Sequence, residues 1–458
     1  MNQKNMKKKN IDMLNGGITK GILLMTMPLM AQNVLQTLFN VLDMTVLGKF
    51  ANDSAVGAVG ACGTLISLCT GLLLGCSVGA NVIVARHIGE GDRKKTNDAI
   101  NTAVAFALSG GFLLLIIGLC FAETFLRWTN CPESLLPGAV KYFRIYFIGA
   151  PVLMLYSSFA SILRATGDTR RPMFFSITGG VIKVILNYFC VAVLHATVEG
   201  VAVATIASNA IAGLLSYRAL IRSQDYFDFN LKNMTFQPAE LKQILHIGIP
   251  SGLQTSLYSF ANVIIATAVN SLGAAATTGI AIANQFDGIL YQIIHAPGIA
   301  AISYVAQNMG ARKYDRVKKS ILISCFISIV FGATLGSLSA FFSEELASTM
   351  STTPEVIAFA QQKMIIISST YFICGINEVL GSALKGMGKP VIPTVSTFVF
   401  MCLLRFVWVY CLFPLYPNLT FLYLVWPVGW ILSIITLLIA YFPAMAKLKK
   451  AAGNEAAA

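Results

Sequence analysis

Long apolar stretches, separated by short polar segments, follow one another along the whole chain. About 20 consecutive apolar residues are needed for a helix to cross the roughly 30 Å hydrocarbon core of a bilayer. Twelve stretches reach this length, and they lack the alternating polarity of membrane β-strands, which are about ten residues long. The sequence therefore predicts an all-α membrane protein with twelve transmembrane helices, at residues 21–48, 54–80, 100–122, 139–163, 173–194, 198–221, 244–271, 274–304, 320–342, 358–384, 391–415 and 419–446.

Four polar residues interrupt the first of these spans: Gln32, Gln36, Asn40 and Asp43. At roughly 100° per residue they fall within a sector of about 80°, which makes a single polar face. Lipid cannot satisfy such a face, so we expect it to turn toward protein or toward a wet cavity. Asp43 is the leading functional candidate, because an ionisable residue inside a span is costly and usually functional.

Span 7 repeats three of these polar positions 222 residues later, with Gln254, Tyr258 and Asn262. The fourth position holds Ile265, so the acid of this pattern occurs in the first half only. This asymmetry predicts that coupling to an ion takes place in the N-terminal half of the chain.

Spans 8, 10 and 11 carry further ionisable residues. On span 8, Asp287 and His295 share a helical sector of about 140° with Asn284, Tyr291 and Gln292. Glu378 lies in span 10 and Arg405 lies deep in span 11. Buried membrane charges normally find partners, so a Glu378–Arg405 ion pair is one interpretation and a functional role for Glu378 is the other. Asp287 has no obvious basic partner in the sequence.

Composition and charge support the membrane assignment. Hydrophobic residues make up 56% of the 458 residues and charged residues 12%, about half the fraction usual in a soluble domain. Of the 33 Lys and Arg, 26 fall on one side of the predicted membrane, five on the other (Lys363 among them), and two, Lys183 and Arg405, within spans. The net charge of +13 therefore reflects the uneven distribution of basic residues between the two sides of the membrane. The positive-inside rule predicts that the basic side, and with it both termini, faces the cytoplasm. Binding of nucleic acid is not needed to explain the positive charge.

The basic start at Lys7–Lys9 is interpreted as the flank of a retained first helix and not as a signal peptide, because the apolar segment that follows it is too long.

The chain also repeats itself at an offset of 221 or 222 residues. The matching pairs are Pro28 and Pro250, Gly57 and Gly279, Gly89 and Gly310, Leu163 and Leu384, Gly167 and Gly388, and Pro172 and Pro393. Six spans per half give both halves the same orientation, so the repeat is parallel. We predict an N-terminal six-helix lobe at 1–222, a cytoplasmic linker at 223–243, and a C-terminal lobe with a short cytoplasmic tail at 244–458.

Two loops and their repeats carry a family resemblance. They are residues 85–92 (ARHIGEGD) and 163–172 (LRATGDTRRP), with counterparts at 307–311 (QNMGA) and 384–390 (LKGMGKP). With six plus six spans and a proline in spans 1 and 7, the chain resembles the MATE (multidrug and toxic compound extrusion) family, in its DinF-like branch, over nearly its whole length. The resemblance implies an antiporter that exchanges H⁺ or Na⁺ for organic, often cationic, compounds.

The resemblance also implies roles for the polar residues. Asp43 matches the span 1 acid that the branch uses for cation coupling, and Pro28 matches the proline at which the family's first helix is thought to bend. The expected cation-coupling residues are Asp43, Asn40, Gln36, Lys183, Asn187 and Thr205, with Ser208 and Asn209 as possible additions to that network. The expected substrate-binding residues are Gln32, Gln254, Tyr258, Asn262, Asn284, Asp287, Tyr291 and Glu378. Asp287 is the better candidate for a cationic drug, with cation–π contact from Tyr258, Phe286, Tyr291 and Tyr371.

Span 5 departs from the branch's pattern, since Lys183 and Asn187 stand where the branch often has Asn and Asp. Two interpretations of Lys183 are open: it pairs with Asp43 and holds it ionised, or it competes with a cationic substrate. Losing the second acid weakens the case for a high-affinity Na⁺ site, so we expect H⁺ to be the coupling ion.

The sequence is thus interpreted as a cation-coupled multidrug efflux antiporter that works by alternating access as a monomer in the bacterial inner membrane. No P-loop, zinc-binding or nucleophile-elbow motif is present, so no enzyme activity, metal or cofactor is expected. The alternative is a lipid-linked oligosaccharide flippase of the same superfamily. That function requires a strongly cationic interior, whereas Asp43, Asp287 and Glu378 against Lys183 and Arg405 predict an acidic excess.

Overall fold

The computed structural model describes residues 10–51, 53–129, 131–223, 226–229 and 235–457, and in these ranges it contains helices and no strand. The basic residues Lys7–Lys9 and Lys232, which entered the charge count, lie outside the described ranges. The helices of the first half are α1 (Ile18–Phe50), α2 (Asp53–Glu90), α3 (Arg93–Trp128), α4 (Leu136–Ile148), α5 (Ala150–Ala165), α6 (Arg170–Tyr188, extended by a π-helical turn, Phe189–Val193) and α7 (Val198–Ile221).

The second half follows the same order. Its helices are α8 (Pro238–Ser271), α9 (Ala274–Gly310), α10 (Tyr314–Phe341), α11 (Ser343–Ser348), α12 (Pro354–Ser369), α13 (Tyr371–Gly386), α14 (Val391–Thr397, continued by π- and α-helical turns to Leu412 and a 3₁₀ turn to Leu415), α15 (Leu419–Tyr423) and α16 (Val425–Ala457). The predicted linker ends earlier than expected, because α8 already begins at Pro238.

Twelve of these segments are long enough to cross a membrane. Among the described residues, nine are continuous apolar helices, and two more spans consist of bent pairs, α4 with α5 and α12 with α13, each bent by 49°. Pro151, which lacks a backbone N–H, follows the first bend. At the second, the hydroxyl of Thr370 donates to backbone carbonyls of α12. The twelfth span is α8, whose 34 residues rise about 50 Å. It is not among the nine apolar helices because polar residues, Gln254, Tyr258 and Asn262 among them, lower its mean hydropathy. The predicted fold class is confirmed.

The chain packs as two compact units. Unit 1 comprises Met1–Ile11 and Ala31–Gly252, and unit 2 comprises Asp12–Met30 and Leu253–Ala458. The dividing points in α1 and α8 are 222 residues apart, and each falls two residues after a proline, Pro28 or Pro250. The predicted lobes at 1–222 and 244–458 stay a prediction, since the units are defined by packing and not by position in a membrane.

Glycines allow close helix packing in unit 1. A Cβ added to Gly79 of α2 would lie 2.2 Å from the carbonyl oxygen of Ile244 on α8, and one added to Gly180 of α6 would lie 2.0 Å from the ring of Phe39 on α1. Small residues let helix backbones approach in this way. The approach at Gly180 brings the polar face of α1 against α6.

Candidate functional site

The polar face of α1 meets the polar residues of α6 in unit 1. Asp43, which is 5% exposed, forms an ion pair with Lys183 and accepts a hydrogen bond from Asn187 Nδ2 at 3.0 Å. Lys183 also donates to Asn40 Oδ1 at 3.3 Å. The ammonium therefore bridges the carboxylate and the amide oxygen of two residues that lie one turn apart on α1. Of the two interpretations of Lys183, the structure shows the pair with Asp43.

The remaining predicted coupling residues lie around this ion pair. Gln36 Nε2 donates to Ser176 Oγ on α6 at 3.1 Å. Gln32 is buried, and its Oε1 has no hydrogen-bond partner among the described residues. Thr205 donates to the carbonyl of Val201 on its own helix at 2.9 Å, a bond that any threonine in a helix can make. Its place in the network stays a prediction.

Unit 2 contains a similar arrangement that the sequence analysis missed. Lys363, on α12, forms an ion pair with Asp287 on α9, with 2.9 Å between Nζ and Oδ2, and also contacts Asn284 Oδ1. The ring of Tyr423 lies 5.5 Å from the same ammonium. Two expectations were therefore wrong: Asp287 has a basic partner, and Lys363 lies in a helix, 4% exposed, and not in an external loop. The sequence did contain a signal for the buried position of Lys363, because this residue lies inside the predicted span 358–384.

Glu378 is held by groups other than Arg405. His295 Nδ1 lies 2.9 Å from Glu378 Oε2, and the hydroxyls of Tyr258 and Tyr291 donate to Oε1 at 3.3 and 3.4 Å. The ring of Tyr291 also stacks on that of His295. The expected Glu378–Arg405 ion pair was wrong, because α9 and α8 place an imidazole and two phenols around the carboxylate instead.

Arg405 instead contacts the helix that repeats α1. Its NH1 donates to Asn262 Oδ1 at 2.9 Å, and its guanidinium lies over the ring of Trp426, with Cζ 4.3 Å from the ring centre. Arg405 and Lys183 are 222 residues apart, as are Asn262 and Asn40. The contact from a basic side chain to an asparagine is therefore the same in both repeats.

A small polar cavity in unit 2 adjoins Glu378. It is also lined by Gln254, Asn377, Lys385, Thr397 and Ser433. Gln254 Nε2 donates to Thr397 Oγ1 at 2.8 Å, while Gln254 Oε1 and Asn377 Oδ1 are buried without a hydrogen-bond partner among the described residues. Such unsatisfied acceptors suit a water molecule or a polar group of a ligand.

The three acids expected in the membrane interior each have a basic partner. Asp43 pairs with Lys183, Asp287 with Lys363, and Glu378 with His295. The predicted acidic excess depended on placing Lys363 outside the membrane, so it was wrong. The structure therefore gives an interior of compensated pairs, with Arg405 as an additional cation.

Sequence comparison identifies the family. The MatE family model matches the chain twice, at residues 28–189 and 250–411, and the second match lies 222 residues after the first. The chain belongs to the MatE family. The two matches coincide with the internal repeat and together cover most of the chain, which confirms the resemblance to the family, while the DinF-like branch stays a prediction.

The sequence identity between this chain and individual members of the family is low. The chain is 28% identical to the probable multidrug resistance protein YpnP of Bacillus subtilis over 87% of this chain and 89% of that one. It is 26% identical to the probable multidrug resistance protein YoeA of the same organism, over 82% and 83%. A solved MOP superfamily transporter from Pyrococcus furiosus matches the fold with a TM-score of 0.89 at 20% identity, over 96% of this chain and 99% of that one. The fold is that of a multi-pass membrane transporter.

Proposed function

We propose that the protein is an H⁺-coupled antiporter that exports organic, often cationic, compounds by alternating access. It acts as a monomer in the bacterial inner membrane, with both termini in the cytoplasm. The buried ion pair between Asp43 and Lys183 is the observation that carries this proposal. The multidrug resistance relatives support export as the general activity.

The Asp43–Lys183 pair favours H⁺ over Na⁺ as the coupling ion. The Lys183 ammonium contacts two oxygen atoms of α1 that could bind a cation, one from the Asp43 carboxylate and one from the Asn40 amide. A sodium ion at this place would be repelled by the fixed positive charge and would have to displace it. A proton needs no set of ligands, because it binds directly to one carboxylate oxygen.

Protonation of Asp43 changes the contacts that hold α1 to α6. The neutral acid no longer attracts the ammonium, and Lys183 is left as a buried charge that needs a new partner. This change favours a rearrangement of α1, which Pro28 allows because proline removes one backbone hydrogen bond. Substrate release is then linked to proton binding.

The substrate contacts are proposed at the polar residues already named: Gln32, Gln254, Tyr258, Asn262, Asn284, Asp287, Tyr291 and Glu378. A cationic substrate has to compete with Lys363 for Asp287 and with His295 for Glu378. We therefore expect modest affinity for simple cations, and binding that depends on apolar and aromatic contact as much as on charge.

Efflux of ethidium, a fluorescent organic cation, from proteoliposomes tests the proposal under an imposed pH gradient or Na⁺ gradient. We expect the pH gradient to drive efflux by the wild type, the Na⁺ gradient to have no effect, and Asp43→Asn to abolish the driven component. Asp228→Asn removes an exposed acid of the same unit and serves as the matched control. Wild-type efflux by Asp43→Asn, or efflux driven by Na⁺ alone, would contradict the mechanism.

The flippase alternative predicts a different result in the same vesicles. If neither gradient moves ethidium, a fluorescent lipid-linked diphosphate becomes the substrate to try. One observation favours this second function: Arg405 is a buried cation whose Nε has no hydrogen-bond partner among the described residues. Against it, Lys183 and Lys363 are already paired with aspartates.

A further inference from the structure

Arg405 is the buried cation of unit 2 whose charge the described residues leave uncompensated. The side chain is 2% exposed, and among the described residues its guanidinium donates a hydrogen bond from NH1 alone, to Asn262. Nε is buried without a partner. The titratable groups that face the guanidinium are Tyr258, Cys374, Cys402 and Tyr423, none of which is a carboxylic acid.

The internal repeat shows which partner is missing. In unit 1, Lys183 contacts Asn40 and the carboxylate of Asp43. In unit 2, Arg405 and Asn262 stand at the equivalent positions, but the position of Asp43 is taken by Ile265, which is buried. The same basic-to-asparagine contact therefore exists in both units, and among the residues that the structure describes an acid lies beside it in unit 1 but not in unit 2.

A buried charge without a counter-charge is costly, and a charge inside a membrane span is a functional candidate for that reason. The stacking of the guanidinium on Trp426 offsets part of the cost, because a cation–π contact is stronger when the cation is desolvated. It does not satisfy the Nε–H, which lies in the plane of the guanidinium and not toward its face.

The geometry fits an oxyanion. Asn262 occupies NH1, which leaves the edge formed by Nε and NH2, and this edge binds a carboxylate or phosphate through two parallel hydrogen bonds. Trp426 covers one face of the guanidinium and restricts approach to the edge. Asn262 itself is exposed, so the contact with NH1 lies where the protein is accessible.

We propose that Arg405 forms an anion-binding subsite for a carboxylate or phosphate group of the substrate. In unit 1 the acidic group beside the basic residue is Asp43, whereas at Arg405 the substrate brings the acidic group. The inference rests on the proposed transport function and specifies it: the compounds carried include anionic or zwitterionic molecules, with the acidic group at Arg405.

Binding of carboxyfluorescein to the purified full-length protein tests the subsite without requiring transport. Fluorescence anisotropy should show saturable binding to the wild type, at least tenfold weaker binding to Arg405→Gln, and an intermediate loss in Arg405→Lys, which keeps the charge but not the two-donor edge. Ethidium binding should not weaken in Arg405→Gln. Arg127→Gln, at an exposed arginine of unit 1, is the matched control. Equal binding of carboxyfluorescein to wild type and Arg405→Gln would overturn the proposal.

A second pair of variants tests the repeat argument and guards against misfolding of Arg405→Gln. Ile265→Asp places a carboxylate at the position equivalent to Asp43, where it should pair with Arg405 and abolish carboxyfluorescein binding. Ile265→Asn has nearly the same shape without the charge and should bind nearly as the wild type does. Equal binding by these two variants would show that Arg405 does not meet the anion.

Vesicle assays separate the two sources of the anion. Carboxyfluorescein efflux that requires Arg405 indicates a soluble anionic substrate, whereas Arg405-dependent movement of a labelled polyprenyl diphosphate indicates a lipid head group. Anion binding with no movement of either anion would overturn the assignment of the subsite to the substrate, whereas the proposed export function fails if neither gradient moves ethidium, so the two failures are distinguishable.

Discussion

Removal of the Lys363 ammonium is the sharpest test of the charge arrangement in unit 2. Lys363 and Asp287 are both buried, and the ammonium also contacts Asn284. Lys363→Met keeps much of the length and apolar volume of the side chain but removes its charge. The variant therefore leaves the Asp287 carboxylate buried without a counter-charge. Removing one partner of a buried ion pair typically destabilises a protein by about 3–5 kcal/mol.

The pH dependence of this effect can be worked out. The stranded carboxyl group escapes by binding a proton, which at pH 7 costs about 4 kcal/mol for a group whose ordinary pKa is about 3.9. At pH 5 the same protonation costs about 1.5 kcal/mol. The loss is the smaller of this protonation cost and the about 3–5 kcal/mol of the unpaired charge, so the free-energy loss of Lys363→Met should be about 1.5–2.7 kcal/mol smaller at pH 5 than at pH 7. The double variant with Asp287→Asn has no stranded charge and should lie within about 1 kcal/mol of the wild type.

Reversible unfolding in mixed micelles, followed by tryptophan fluorescence at the two pH values, measures these differences. Lys141→Met is the matched control, because Lys141 pairs with Glu199 but is 60% exposed, and exposed pairs contribute about 0–1 kcal/mol. The reasoning is refuted if Lys363→Met loses the same free energy at both pH values. It is refuted equally if the double variant is as unstable as the sum of the single variants.

Two further predictions concern α1 and α3. Pro28→Ala restores a backbone N–H inside α1, so we expect a more stable helix and slower pH-driven ethidium efflux; an unchanged rate would argue against bending at Pro28. Asp92 caps α3, and the hydrogen bond from the backbone N–H of Lys95, aided by its ammonium, lowers the pKa of Asp92. Because this pKa is lower in the folded state, the stabilisation is present above the ordinary aspartate pKa of about 3.9 and is lost as the pH falls through the lowered value. The difference in Tm between wild type and Asp92→Ala should therefore narrow in acid, and a constant difference would contradict the cap.

The architecture could be predicted from the sequence because its signals are local. Runs of apolar residues determine where a helix can cross a bilayer, and the constant offset between matching residues identifies the repeat, so the fold class is confirmed. Pairing across helices was predictable at Asp43 and Lys183, where each helix has one obvious polar face. Both bends within spans were missed: Pro151 was an available signal for the first, whereas Thr370 at the second gives no signal stronger than an ordinary threonine in a helix.

Side-chain partners in unit 2 were predicted less well, for a physical reason. The partner of a buried charge depends on the rotation and depth of each helix, which apolar periodicity does not report for helices that are apolar all round. A Glu378–Arg405 pair was one interpretation because both residues are charged and lie within spans, where charges normally find partners. The structure instead places His295 at Glu378 and Lys363 at Asp287.

The internal repeat indicated the partner of Arg405, which its depth within the span did not. Lys183 and Arg405 occupy one repeat position, and so do Asn40 and Asn262, so the contact seen in unit 1 predicts the contact seen in unit 2. The replacement of the acid by Ile265 then has a definite electrostatic consequence. Unit 1 holds a compensated pair at this position and unit 2 holds a positive charge. Under the two proposals the repeated halves divide the work: Asp43 in unit 1 binds the proton, and Arg405 in unit 2 binds an acidic group brought by the substrate.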